Sequence, residues 1–150
     1  MRQTGDSLIA ALDAAQHLCL NNMHVIVPKG GLLSAEYLLG VINSKLLNWY
    51  YQTLNPEIGE ALAEVKRTNV ARLPIRTLDL KNPAEKQQHD RMVQLVEMML
   101  TTQQQLAAAA NENDRTYLEN KAAGLDRQID ELTYDLYGLT QEERDLVQAS

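Results

Sequence analysis

A 150-residue chain with 45% apolar side chains can bury one core, and its lone cysteine, Cys19, excludes an internal disulfide framework. No apolar run reaches the roughly 20 residues needed to cross a bilayer, and the start, Met1-Arg2-Gln3-Thr4-Gly5-Asp6, has no apolar signal segment; a cytoplasmic protein without membrane contact is expected. The net charge of −6 speaks against nucleic acid only until it is divided: residues 1–81 hold eight Lys/Arg against seven Asp/Glu, and residues 82–150 hold six against thirteen. A phosphate backbone would be repelled by the second part and approached only by the first.

In chain order, Leu18-Cys19-Leu20 and His24-Val25-Ile26-Val27 read as strands around an Asn21-Asn22 turn, closed by Pro28-Lys29-Gly30-Gly31. Ser34 is placed to cap a helix over residues 34–53. Its Leu38, Leu39, Ile42, Leu46, Trp49 and Tyr50 share one face, and Asn55-Pro56 stops it. Residues 57–64 fit either a loop or a helical turn. A polar, basic stretch from Val65 to Arg72 follows, and Leu73-Pro74-Ile75 is extended, because the residue before a proline is pushed out of the helical region.

Asn82-Pro83-Ala84-Glu85 then opens a long helix as N-cap, first-turn proline and capping-box glutamate. Met92, Leu95, Val96, Met99, Leu106 and Ala110 form its stripe. After the turn at Asn111-Glu112-Asn113-Asp114, Leu118, Ala122, Leu125, Ile129, Leu132 and Leu136 alternate in steps of four and three. Two such stripes joined by a short turn predict an antiparallel, coiled-coil-like hairpin. Gly138 ends it in a left-handed cap, and Thr140 to Glu143 is a capping box for a short last helix. The expected fold is α+β, mostly α: a small N-terminal β region, one packed helix, the hairpin and a terminal helix. Residues 1–81 form one region and residues 82–150 the other.

Candidate chemistry is sparse. His17, Cys19 and His24 lack the spacing of a zinc site and read as ordinary histidines and a buried thiol. Asp126, Asp130 and Glu131 fit the solvated face of an amphipathic helix. There is no phosphate-binding glycine loop and no nucleophile–base set, so no catalytic residue is assigned. The strongest binding candidate is Lys66-Arg67-Thr68-Asn69 with Arg72, which Lys29 and Arg2-Gln3-Thr4 could join. Arg and Lys neutralise phosphates, Arg pairs with guanine edges, Asn with adenine, and Thr contacts phosphate or a thymine methyl. The competing reading is a solvated loop whose charges pair with Glu60 and Glu64.

Tyr37-Leu38-Leu39-Gly40-Val41-Ile42-Asn43-Ser44-Lys45-Leu46-Leu47 with Trp49-Tyr50-Tyr51 resembles the LLGxLNSKLxxxYY helix of TaqI-like specificity domains. These are the target-recognition parts of adenine-N6 DNA methyltransferases and fused methyltransferase–endonucleases in restriction–modification systems. Arg2 to Asp6 with Asn21 to Val27 is similar to the strand region before that helix, and Leu73-Pro74-Ile75 to the exit of the recognition domain. Asp126 to Leu132 with Tyr134 to Thr140 is similar to the family's IDxxIDELVYxLYGLT ending. The resemblance implies the C-terminal part of a DNA sequence-recognition module, non-catalytic by itself. Its partners would be double-stranded DNA and a methyltransferase or endonuclease domain or subunit. S-adenosylmethionine, and magnesium for cleavage, would belong to that parent or partner, with no cofactor in this chain. The alternative is a protein-interaction module without DNA contact, pairing as a homodimer through the hairpin.

Overall fold

The computed structural model describes residues 1–15, 17–28, 33–55, 59 and 63–149. Six helices carry the fold: α1 (Ala35–Asn43), α2 (Lys45–Leu54), α3 (Arg67–Val70), α4 (Pro83–Ala108), α5 (Glu112–Tyr137) and α6 (Gln141–Gln148). The hairpin of α4 and α5 is the frame. Met92, Leu95 and Val96 of α4 and Leu118, Ala122, Leu125, Ile129 and Leu136 of α5 are buried, so each stripe covers the other as their periodicity predicts. Leu132, Met99 and Leu106 are half-buried, and Ala110 is exposed in the turn beyond α4. Among the described residues no helix is long and apolar enough to cross a membrane.

α1 packs on α4 at Gly40. A Cβ there would stand 2.6 Å from Met92 Sδ and 2.9 Å from Val96 Cγ2, so the α1 backbone sits directly on its neighbour. Gly40→Ala gains about 1 kcal/mol of helix propensity against an overpacking cost of about 1–3 kcal/mol. A net loss near 1 kcal/mol is expected in denaturant unfolding.

The expected single helix over 34–53 is two. Ser34 does cap α1, accepting from Tyr37 N–H, but Ser44 is extended (φ −61°, ψ 152°) and breaks the run. Its hydroxyl donates to Val41 O (2.7 Å) and accepts from Leu47 N–H (3.3 Å), ending α1 and opening α2. The next free N–H, that of Lys45, donates to Asp130 Oδ1 at 2.8 Å. Asp130 is therefore no member of a solvated face: it is half-buried and holds the N-terminus of α2 against α5. Burial pushes its carboxyl above the usual range, partly offset by the Lys45 N–H. A pKa raised on folding means that the native state is penalised as pH rises through it. Asp130→Asn, which keeps an acceptor without the charge, is expected to be at least as stable as wild type at pH 7, the difference closing below the ordinary carboxylate pKa. Asp130→Ala loses the cap and should cost about 1 kcal/mol in the same unfolding series.

Three other caps follow the sequence with one change. Asn82 accepts from Ala84 N–H, but Glu85 reaches past it to Asp79 N–H (2.7 Å), so no capping box forms there. The Thr140–Glu143 box is present. Gly138 takes φ 67°, with Gly138 N–H on Asp135 O and Leu139 N–H on Tyr134 O, a Schellman ending. Arg144 ties α6 to α5 through Glu131 (2.9 Å) and Asp135 (2.7 Å).

The small N-terminal β region is not formed as strands among the described residues. It reduces to two isolated antiparallel bridges, Arg2↔Met23 and Thr4↔Glu64. Asn21-Asn22 does turn, closed by Met23 N–H on Leu20 O, yet the next rung of a hairpin is not made. Leu73-Pro74-Ile75, expected to be extended, instead closes a tight turn, with Ile75 N–H on Leu73 O at 2.9 Å, and forms no strand. Because this arm is uncovered, Cys19 is exposed rather than buried. Most of residues 57–64, and the Pro28 to Gly31 turn past its first residue, lie outside the described residues.

Candidate nucleic-acid interface

Residues 1–5 run between 22–24 on one side and 63–65 on the other. Met1 and His24 exchange two hydrogen bonds of 2.9 Å, Gln3 N–H donates to Asn22 O, Gly5 N–H to Ala63 O and Val65 N–H to Gln3 O. Side chains of an extended segment alternate. Met1, Ala63 and Val65 therefore turn inward and are buried, while Arg2, Thr4, Glu64 and Lys66 turn outward and are exposed. This register brings Arg2 to the face that carries Lys66, although 64 residues separate them in the chain. Gly5 (φ 120°) lets the Arg2 guanidinium fold across the main chain: a Cβ there would stand 2.6 Å from Arg2 Nη2.

The leg leading into the basic segment is pinned from beneath. Tyr51 Oη donates to Glu64 O (3.2 Å), and His24 Nε2 lies 2.6 Å from Val65 O, a contact that requires the ring proton on that nitrogen. The basic stretch itself is not a plain loop but the single turn α3, with Lys66 at its N-cap position. Asn69 is buried and Val70 half-buried beneath it; Arg67, Thr68, Ala71 and Arg72 face solvent. Neither the Arg67 nor the Arg72 side chain makes a hydrogen bond or salt bridge among the described residues. Their guanidinium donors are open to a ligand, whereas Asn69 is buried.

The exit leg is pinned as well. Tyr137 Oη donates to Pro74 O at 2.6 Å and accepts from Arg76 N–H at 3.1 Å. Tyr37 Oη donates to Arg76 O at 3.0 Å, and its ring stacks on His89 of α4 with centroids 5.4 Å apart. Burial pushes the Tyr37 hydroxyl up to about 12 and raises that of Tyr137. Both remain protonated donors at neutral and mildly alkaline pH.

One sequence candidate falls elsewhere. Lys29 lies outside the described residues. Lys45, basic and in the first region, is spent internally: its Nζ donates to Gln148 O. A cleft of about 730 Å³ between residues 7–11, the α1–α2 break and the hairpin shares no lining residue with the basic turn. What charge and motif reasoning misses is the set of supports: His24, Tyr37, Tyr51 and Tyr137. The tyrosines stand inside the strings that carry the family resemblance, which was the available signal.

A one-turn basic element, held at both legs by hydroxyl pins from a helical frame, presents its cations from a short connection on a rigid scaffold. The chain belongs to the family of the TaqI-like C-terminal specificity domain, whose model matches residues 1–75. It is thus a specificity module of the restriction–modification kind. No curated protein and no solved structure matches it.

Proposed function

We propose that this chain selects the DNA sequence for an adenine-N6 methyltransferase, an endonuclease or both, and leaves the chemistry to a catalytic domain or subunit. That partner would bring S-adenosylmethionine, and magnesium where it cleaves. The observation that carries the reading is the coincidence of the family match with the basic turn: residues 1–75 include Arg2, Lys66, Arg67, Thr68 and Arg72. We assign the contacts to these five and give Asn69 a supporting place beneath them. The acidity of residues 82–150 is no obstacle, because those residues serve as frame.

Titration of labelled duplex DNA at several salt concentrations tests it. About four neutralised phosphates predict a slope of log K on log salt near −3.6. Binding that is absent, or indifferent to salt, for the chain joined to its catalytic partner would sink the assignment. The alternative, a hairpin dimerisation module, loses its main motive, since the stripes of α4 and α5 are buried within the chain.

A further inference from the structure

The N-terminal arm is the least satisfied part of the surface. Of eleven large apolar side chains exposed among the described residues, eight lie between Ile9 and Val27. Leu18 is 98% exposed and Leu20 74%. Val25 and Val27 are 68% and 70% exposed, while Ile26 between them, at 43%, turns toward α1 and lines a small hollow with Leu12, Leu38 and Ile42. This is the period-two pattern of an extended segment with one face in water.

The main chain is open too. Beyond the His24 pair with Met1, the N–H and C=O groups of Val25, Ile26 and Val27 make no hydrogen bond among the described residues. From Leu18 to Val27 there is no Asp, Glu, Lys, Arg or Pro. The charges and prolines that normally protect a sheet edge are absent. A phosphate backbone finds no cation on this stretch.

We propose that this arm is a two-fold interface with a second copy of the chain. The edge at Val25–Val27 of one protomer pairs antiparallel with the same edge of its partner, and the outward valines pack across the axis. Three observations favour a second copy. An extended edge placed on a two-fold axis is self-complementary: with Ile26 at the axis, Val25 of one copy lies opposite Val27 of the other, and each donates its N–H to the other's C=O. The segment is uncharged, so bringing identical residues face to face costs no like-charge repulsion. The eight exposed side chains amount to an area on the order of 800 Å², what each partner of a standard-size interface contributes. The hairpin offers no comparable face.

Sedimentation equilibrium of the full chain across the micromolar range is the test. Twice the chain mass is expected. Val25→Lys with Val27→Lys changes only side chains already in water, and should return the single-chain mass with unchanged helical circular dichroism. Leu18→Lys with Leu20→Lys, on the other side of the Asn21-Asn22 turn, should weaken association at least tenfold. A wild-type chain that stays monomeric throughout overturns the proposal. So does a dimer that survives both pairs of substitutions, which would place the interface elsewhere.

Discussion

Replacing Lys66, Arg67 and Arg72 together by alanine is expected to weaken binding to duplex DNA about 100-fold at moderate salt and to flatten its salt dependence. Each neutralised phosphate contributes about −0.9 to the slope of log K on log salt, so three lost contacts should remove about 2.7 from it. The fold should not notice. All three side chains are exposed, and the turn is held by its main chain and by buried Asn69, Val65 and half-buried Val70. Single substitutions then separate roles. A residue that touches only phosphate weakens all sequences alike and lowers the slope by about 1, whereas an arginine on a guanine edge relaxes one base pair by about 1–3 kcal/mol. Unchanged affinity and slope in the triple variant would move the contacts off this turn.

The strings that carry the family resemblance become intelligible as joints. Asn43 clamps Ala10 through both of its main-chain groups (2.8 and 3.0 Å), and Asn48 holds Leu8 N–H at 2.7 Å. Ser44 splits the helix, and Lys45 offers its N–H to Asp130 and its Nζ to Gln148 O. One four-residue neighbourhood thus joins the N-terminal segment, the hairpin and the last helix. Gly40 removes the Cβ that would keep α1 off α4. These residues build the frame, and Arg67 and Arg72 at its edge keep their guanidinium donors open among the described residues.

Local rules made much of this visible beforehand. The stripes of the hairpin, the N-caps at Ser34 and Asn82, the Thr140–Glu143 box and the Gly138 ending depend on residues within a turn or two of one another, and they stand in the structure. The stripe expected over 34–53 does not, since Leu38, Leu39, Trp49 and Tyr50 are half-buried while Tyr37, Val41, Leu47 and Tyr51 fill the core. What failed was non-local. Leu18-Cys19-Leu20 and His24 to Val27 have strand composition, but a strand exists only when another segment pairs with it. The break at Ser44 was hidden because its residues are good helix formers on both sides, and the partner that rewards the break, Asp130, is 85 residues from Lys45. The candidate interface divides the same way. Exposed cations in a short polar stretch were legible from charge alone. That Arg2 joins them, that Asn69 is buried beneath them, and that three tyrosine hydroxyls hold the legs all depend on contacts across the chain.

Tyr137→Phe separates support from contact. The substitution keeps the ring and removes one hydroxyl that both donates to Pro74 O and accepts from Arg76 N–H. Two hydrogen bonds at about 0.5–1.5 kcal/mol each put the stability loss near 2 kcal/mol. The local effect is more informative than the global one. Tyr37 still holds Arg76 O, so the exit leg is loosened rather than freed. The basic turn must then be ordered when DNA binds, and that conformational cost is charged to affinity. A three- to tenfold weaker complex is expected, with a salt slope equal to wild type because every cation is still present. That is the opposite signature to the triple basic variant, which loses slope and affinity together. Tyr37→Phe should behave like Tyr137→Phe, and the pair combined should fall further than either without moving the slope. A change of slope in Tyr137→Phe would mean that the turn had been displaced from the DNA, and an unchanged affinity would mean that the exit leg has no part in presenting it.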